Sequence, residues 1–188
     1  MKFLLVTYND SDGVGQTVVN LNSTLNNLGH QSKIILLNKS INSKKIFKIK
    51  RSFSKRVFFY FFEFLKTRYS DLFSFGNSTT DYKLIEDYAN DSDVIIIYTL
   101  HKFLSLDMLS KLFDKKKIIY LRPLDMELAT GGCHVNFLYE SGKECNKYLT
   151  GCNKCPKLNK FNFFNFSNKI FEKKRNFMNT FKPTILLE

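Results

Sequence analysis

The chain has 188 residues, a hydrophobic fraction of 44% and a formal net charge of +12. This length suits one ordinary domain or at most two small ones, and the apolar content excludes general disorder. No apolar run reaches the roughly 18 residues of a membrane span, and the opening Met1-Lys2-Phe3-Leu4-Leu5-Val6 meets Asn9, Asp10 and Asp12 too soon for a signal peptide. A cytoplasmic chain is expected, its cysteines reduced unless they hold a metal.

Lys2 to Thr7 predicts a short buried strand, followed by the polar loop Tyr8-Asn9-Asp10-Ser11-Asp12-Gly13-Val14-Gly15. Val18, Val19, Leu21, Leu25 and Leu28 then recur at helical spacing up to Gly29, and Ser32 to Leu37 reads as a second strand. Strand, glycine loop, helix and strand in this order predict a parallel α/β sheet. Residues 39 to 56 are basic and polar; 53 to 68 predict an aromatic helix, and Tyr82 to Tyr88 a short one. Asp93 to Tyr98 reads as a third strand, Leu104 to Phe113 as a helix and Lys117 to Leu121 as a fourth strand. Residues 122 to 166 hold all four cysteines and predict an irregular loop with its own staple, a cysteine-rich insertion centred on about 130–160. Ser167 to Thr180 predicts a basic amphipathic helix with Ser167 as N-cap, and Thr184 to Leu187 a last strand.

The positive charge suggests an anionic partner: nucleic acid, a membrane surface or a phosphorylated ligand. A blander source is codon skew, because the 24 Lys, 18 Asn, 20 Phe and 13 Ile are all written with A/T-rich codons. The aromatic helix, with Phe58, Phe59, Phe61 and Phe62 flanked by Lys48, Arg51, Lys55, Arg56 and Lys66, either rests on anionic lipid at the inner membrane face or packs against the sheet.

The cysteines are spaced Cys133-x11-Cys145-x6-Cys152-x2-Cys155, and the last pair forms a tight chelating turn. Four thiolates suit structural zinc, with His134 as an alternative ligand; inert or regulatory thiols and an iron–sulfur cluster are the competing readings. Gly13 and Gly15 stand at a helix N-terminus, where backbone N–H groups can face phosphate, or simply make a tight β–α turn. Neither a dinucleotide fingerprint nor a Walker loop is present. Asp125 and Glu127 lie just past the fourth strand and His101 just past the third, on the edge where open α/β sheets bind ligands. His30 falls at the opposite edge.

The stretch Asp125-Met126-Glu127-Leu128-Ala129-Thr130-Gly131-Gly132-Cys133-His134, with Cys145-x2-Tyr148-x3-Cys152-x2-Cys155-Pro156 and the later basic helix, resembles the N-terminal domain of family-four glycosyltransferases, in their polysaccharide-biosynthesis branch. Leu28-Gly29-His30 and Phe103-Leu104-Ser105-Leu106 also look like segments of that family. It departs from the branch at Leu124, Leu128 and Val135, where members carry His, Pro and an aromatic residue.

The resemblance implies a GT-B fold, in which a Rossmann-like N-terminal domain holds the acceptor and a second domain grips the nucleotide-sugar. It implies a retaining transferase of hexosyl type, acting in cell-surface polysaccharide or glycolipid synthesis on a sugar or lipid-linked saccharide acceptor. Gly13 and Gly15 match the loop facing the donor across the cleft. Asp125 matches the family's Asp after the fourth strand, a tentative catalytic residue, and Thr130, Gly131 and Gly132 match the cleft-lining turn. The four cysteines match the branch's own. Because the family continues into a donor domain where Glu188 stands, the resemblance implies an acceptor-side domain alone, a truncated transferase or one that depends on a partner chain. Two other functions compete: a zinc-stapled basic module for nucleic acid, against which the scattered charge argues, and a non-catalytic partner subunit of a split transferase.

Overall fold

The structure is a computed structural model that describes residues 1–64, 73–74, 76–115, 117–138, 142–158 and 165–186. Its centre is a six-stranded sheet in which every neighbouring pair is parallel. The strands are β1 (Lys2–Val6), β2 (Gln31–Leu36), β3 (Ile46–Lys48), β4 (Val94–Ile97), β5 (Ile118–Leu121) and β8 (Thr184–Ile185). A two-residue hairpin, β6 (Phe137–Leu138) with β7 (Lys143–Glu144), stands apart. The helices are α1 (Gly13–Asn27), α2 (Phe53–Phe64), α3 (Tyr82–Asn90), α4 (Leu106–Phe113) and α5 (Phe166–Phe181). None of the described helices is long and apolar enough to cross a membrane.

The sheet order is β3-β2-β1-β4-β5-β8, the doubly wound order of a Rossmann-like α/β fold, with its direction reversing between β1 and β4. Strands buried on both faces read as unbroken apolar runs, and Val94-Ile95-Ile96-Ile97 is buried throughout. The pleat sends alternate residues to two cores. Leu4, Val6, Ile95, Ile97, Ile119 and Leu121 pack with residues of α3, α4 and α5. Leu5, Ile34, Leu36 and Ile96 pack with Val18 of α1.

α1 starts at Asp12, whose carboxylate accepts the Gly15 N–H at 2.6 Å. α4 starts at Ser105, which caps the Met108 N–H. α5 corrects the sequence reading: its N-cap is Asn165 in a left-handed conformation, and Ser167 lies buried inside the helix. The Ser167 hydroxyl donates to the Cys152 carbonyl at 2.6 Å, a tertiary partner that local sequence does not announce. β3 is a second correction, a strand inside the stretch read as basic and polar. Of the aromatic helix, residues 65–68 lie outside the described residues, as does Leu187 of the last strand. Phe59 of α2 is buried, whereas Phe53, Val57, Phe58, Tyr60 and Phe61 are exposed.

Candidate functional site

Strand order brings the ends of β4 and β5 together at the carboxyl edge of the sheet, beside the switch point. His101 lies in the turn after β4, and Asp125 and Glu127 lie after β5. Local hydrogen bonds then fold the glycine-rich segment back on this edge. Glu127 N–H donates to Asp125 Oδ1 at 2.7 Å, and Met126 N–H donates to the His134 carbonyl at 2.9 Å. Ser74 N–H donates to the Gly132 carbonyl at 2.7 Å, bringing a residue from before α3 into the same site. Gly132 has φ +128°, and a Cβ there would stand 2.4 Å from the Ser74 carbonyl oxygen, so this junction requires glycine.

The result is a hydrogen-bonded chain. His134 Nδ1 meets Asp125 Oδ2 at 2.6 Å, and His134 Nε2 meets the Ser74 hydroxyl at 2.8 Å. The same hydroxyl bonds His101 Nδ1. The two imidazoles stand edge to face with centroids 5.0 Å apart. The nearest ligand atoms of His101, Glu127 and His134 all lie within 4.8 Å of one another. Glu127, His134 and Ser74 are buried, and His101 is half-buried.

Two further groups set the electrostatics. Lys174 of α5 is only 3% exposed and donates its ammonium to the Glu127 and Thr130 carbonyls, the latter at 3.1 Å. Burial pushes its pKa down against the pull of Glu127 and Asp125. Burial also raises the Glu127 carboxyl, with Lys174, His134 and Ser74 opposing. For Asp125 the desolvation that would raise it is outweighed: hydrogen bonding and charge from His134, the Glu127 N–H and Lys174 hold it below the ordinary value. Asp125 faces a cleft of about 430 Å³ between the β5 loop, α5 and β8, whose other lining includes Leu128, Phe171, Arg175 and Met178.

The cysteines form a separate centre. All four line one small cavity with Thr130, Asn136, Lys147 and Tyr148. Cys133 and Cys155 Sγ stand 3.9 Å apart, and Gly131 N–H donates to Cys152 Sγ at 3.1 Å. Hydrogen bonding from Cys133 pulls Cys155 down to about 7 despite its burial, while the shared proton and burial hold Cys133 high. The turn is pinned to α5 by Ser167 and by Asn168, which donates to the Gly151 carbonyl at 2.8 Å. His134, expected as an alternative ligand here, turns away to Asp125 and Ser74.

Other expected residues fall differently. Thr130, Gly131 and Gly132 are buried joints rather than a cleft lining; a Cβ on Gly131 would stand 2.2 Å from the Ser167 carbonyl oxygen. Gly15 admits the backbone of Asn9 and Asp10, 2.6 Å and 2.7 Å from a Cβ built there, and its N–H is taken by Asp12. Gly13 is exposed and meets nothing within 4 Å. The site also contains two residues that sequence reasoning missed, Ser74 and Lys174. Ser74 carried no signal, but Lys174 did: it interrupts the stripe Ile170, Phe177, Phe181 at a position facing the core. No family model, no curated protein and no solved structure matches the chain.

Proposed function

We propose that this chain supplies the acceptor side of a retaining, nucleotide-sugar-dependent glycosyltransferase of surface polysaccharide or glycolipid synthesis, the donor being gripped by a second domain or a partner chain. The observation that carries the reading is the Asp125–His134 contact at the carboxyl edge of the sheet. The two ends of the glycosyltransferase-like motif meet there, at the place where a doubly wound fold takes its ligand. Asp125 stands at the wall of the adjacent cleft and His134 behind it, a pairing that keeps the carboxylate ionised and suited to accepting a hydrogen bond from, and so orienting, an acceptor hydroxyl. The exposed aromatic face of α2 supports contact with anionic lipid, where a lipid-linked acceptor resides.

Zinc at the four cysteines is the architectural part of this proposal. Zinc–thiolate bonds of about 2.3 Å in a tetrahedron put sulfurs about 3.8 Å apart, which the Cys133–Cys155 separation of 3.9 Å fits. The N–H donated to Cys152 suits a thiolate. The metal would lock the loop that carries His134 and leave no position for substrate.

The deciding experiment is deletion of the gene in its source cells, with mass-spectrometric analysis of surface glycans and lipid-linked saccharides. Loss of one sugar, restored by the wild-type gene and not by Asp125→Asn, is expected. Unchanged glycans in the deletion overturn the reading. For the staple, Cys152→Ser is expected to lower both melting temperature and zinc content; an unchanged pair of values removes zinc from the proposal.

A further inference from the structure

We infer that His101, Glu127 and His134 form a binding site for a borderline divalent cation of the zinc class, distinct from the four-cysteine cavity. Three separate segments deliver these residues: the turn after β4, the short turn after β5 and the end of the glycine-rich segment. Two imidazoles and one carboxylate are a donor set for zinc and its neighbours rather than for calcium or magnesium, which take oxygen shells. Zinc bonds of about 2.1 Å need ligand atoms about 3.4 Å apart. Here the ligand atoms already lie within 4.8 Å of one another, so a small closure of half-buried His101 completes the triangle.

The surroundings favour the same assignment. Asp125 takes the Nδ1 side of His134 at 2.6 Å, which leaves the Nε2 lone pair aimed at the cluster. A carboxylate behind a ligating imidazole fixes its tautomer and raises its basicity, the usual outer support of a metal-bound histidine. Without a cation, the Ser74 hydroxyl stands between the two imidazoles and the Glu127 carboxyl, and its single proton serves only one of the three. A cation bound by both nitrogens replaces that bridge. Buried Glu127 supplies the oxygen donor, and a cation beside it would compensate the desolvation of its carboxylate, the Lys174 ammonium being committed to two carbonyls. The inference depends neither on the transferase reading nor on zinc at the cysteines.

The test is equilibrium dialysis of the full chain against zinc alone, for wild type, His101→Ala, Asp125→Asn and Cys152→Ser. The expected result is that His101→Ala loses one zinc equivalent that Cys152→Ser keeps. Asp125→Asn should keep the stoichiometry and weaken that ion's affinity about 10–100-fold, because it removes the outer support and not a ligand. Imidazole ¹⁵N spectra of the wild-type protein make the result independent of any variant's folding: the His101 and His134 signals should shift on zinc addition. Equal zinc binding by wild type and His101→Ala, or imidazole signals unmoved at saturating zinc, overturns the site. Loss confined to Cys152→Ser does the same and leaves the cysteine centre as the sole metal site.

Discussion

The two edges of the parallel sheet handle charge in opposite ways. At the amino edge, Asp91 sits between Lys2 at 2.6 Å and Lys33 at 2.7 Å, and all three side chains are at least 42% exposed. At the carboxyl edge, Glu127, His134 and Lys174 are buried, and each is held by hydrogen bonds from neighbouring loops. Water already solvates the first set, so its pairing adds little. The second set has surrendered water, so each group depends on its protein partner, and removing one strands the other. A fold seeking stability alone would fill the carboxyl edge with apolar side chains. Ionisable groups gathered there at a desolvation cost are what make this edge the candidate site.

The contrast is sharpest where a single atom is added to the buried side. Gly131→Ala places a Cβ 2.2 Å from the Ser167 carbonyl oxygen and 2.8 Å from Cys152 Cβ. Both neighbours are fixed, one in α5 and one in the cysteine turn, so the junction must open. A loss of about 3 kcal/mol in urea unfolding is expected. A loss under about 1 kcal/mol would mean that this edge yields as easily as a surface.

Lys174→Met keeps the volume of the side chain and deletes its donor. The Glu127 and Thr130 carbonyls then lose their shared partner. About 2 kcal/mol is expected, and the difference from wild type should not change with salt, because the contact is shielded from it. Strong attenuation by salt would show that Lys174 acts as an exposed charge and would erase the distinction between the edges.

How much of this was legible in the sequence follows from the same distinction. β1, β2, β4 and β5 were readable because strands buried on both faces become apolar runs. β3 was not, since it has three residues at the sheet's margin and buries only Ile46. Asp125, Glu127 and His101 could be placed on the correct edge because strand ends are local. The contact of His134 with Asp125 and Ser74 depends on how the glycine-rich segment folds back, which spacing does not encode. Ser167 looked like a helix cap because hydroxyl residues favour that position; its tertiary bond to Cys152 prevailed. Lys174 carried two signals that conflict: the charged run Glu172-Lys173-Lys174-Arg175, which ordinarily marks a solvated face, outweighed its place in the stripe of Ile170, Phe177 and Phe181.

The smallest expected effect belongs to the exposed edge. Asp91→Asn removes the carboxylate that joins the starts of β1 and β2 to the end of α3. The hydrogen bonds from Lys2 and Lys33, then their charges, hold the Asp91 carboxyl down to about 2 against an ordinary 3.8. Because the folded-state value lies below the unfolded one, the stabilisation is present in full above about pH 4 and fades as the pH falls through about 2, where the folded carboxyl takes up its proton. The melting-temperature difference between wild type and Asp91→Asn should therefore be small at neutral pH and vanish only below about pH 2. It should also shrink in about 1 M salt, where the screening length is about 3 Å. A difference that survives both acid and salt would assign the effect to packing at Asp91 rather than to charge, and the amino edge would then resemble the carboxyl edge more than its exposure implies.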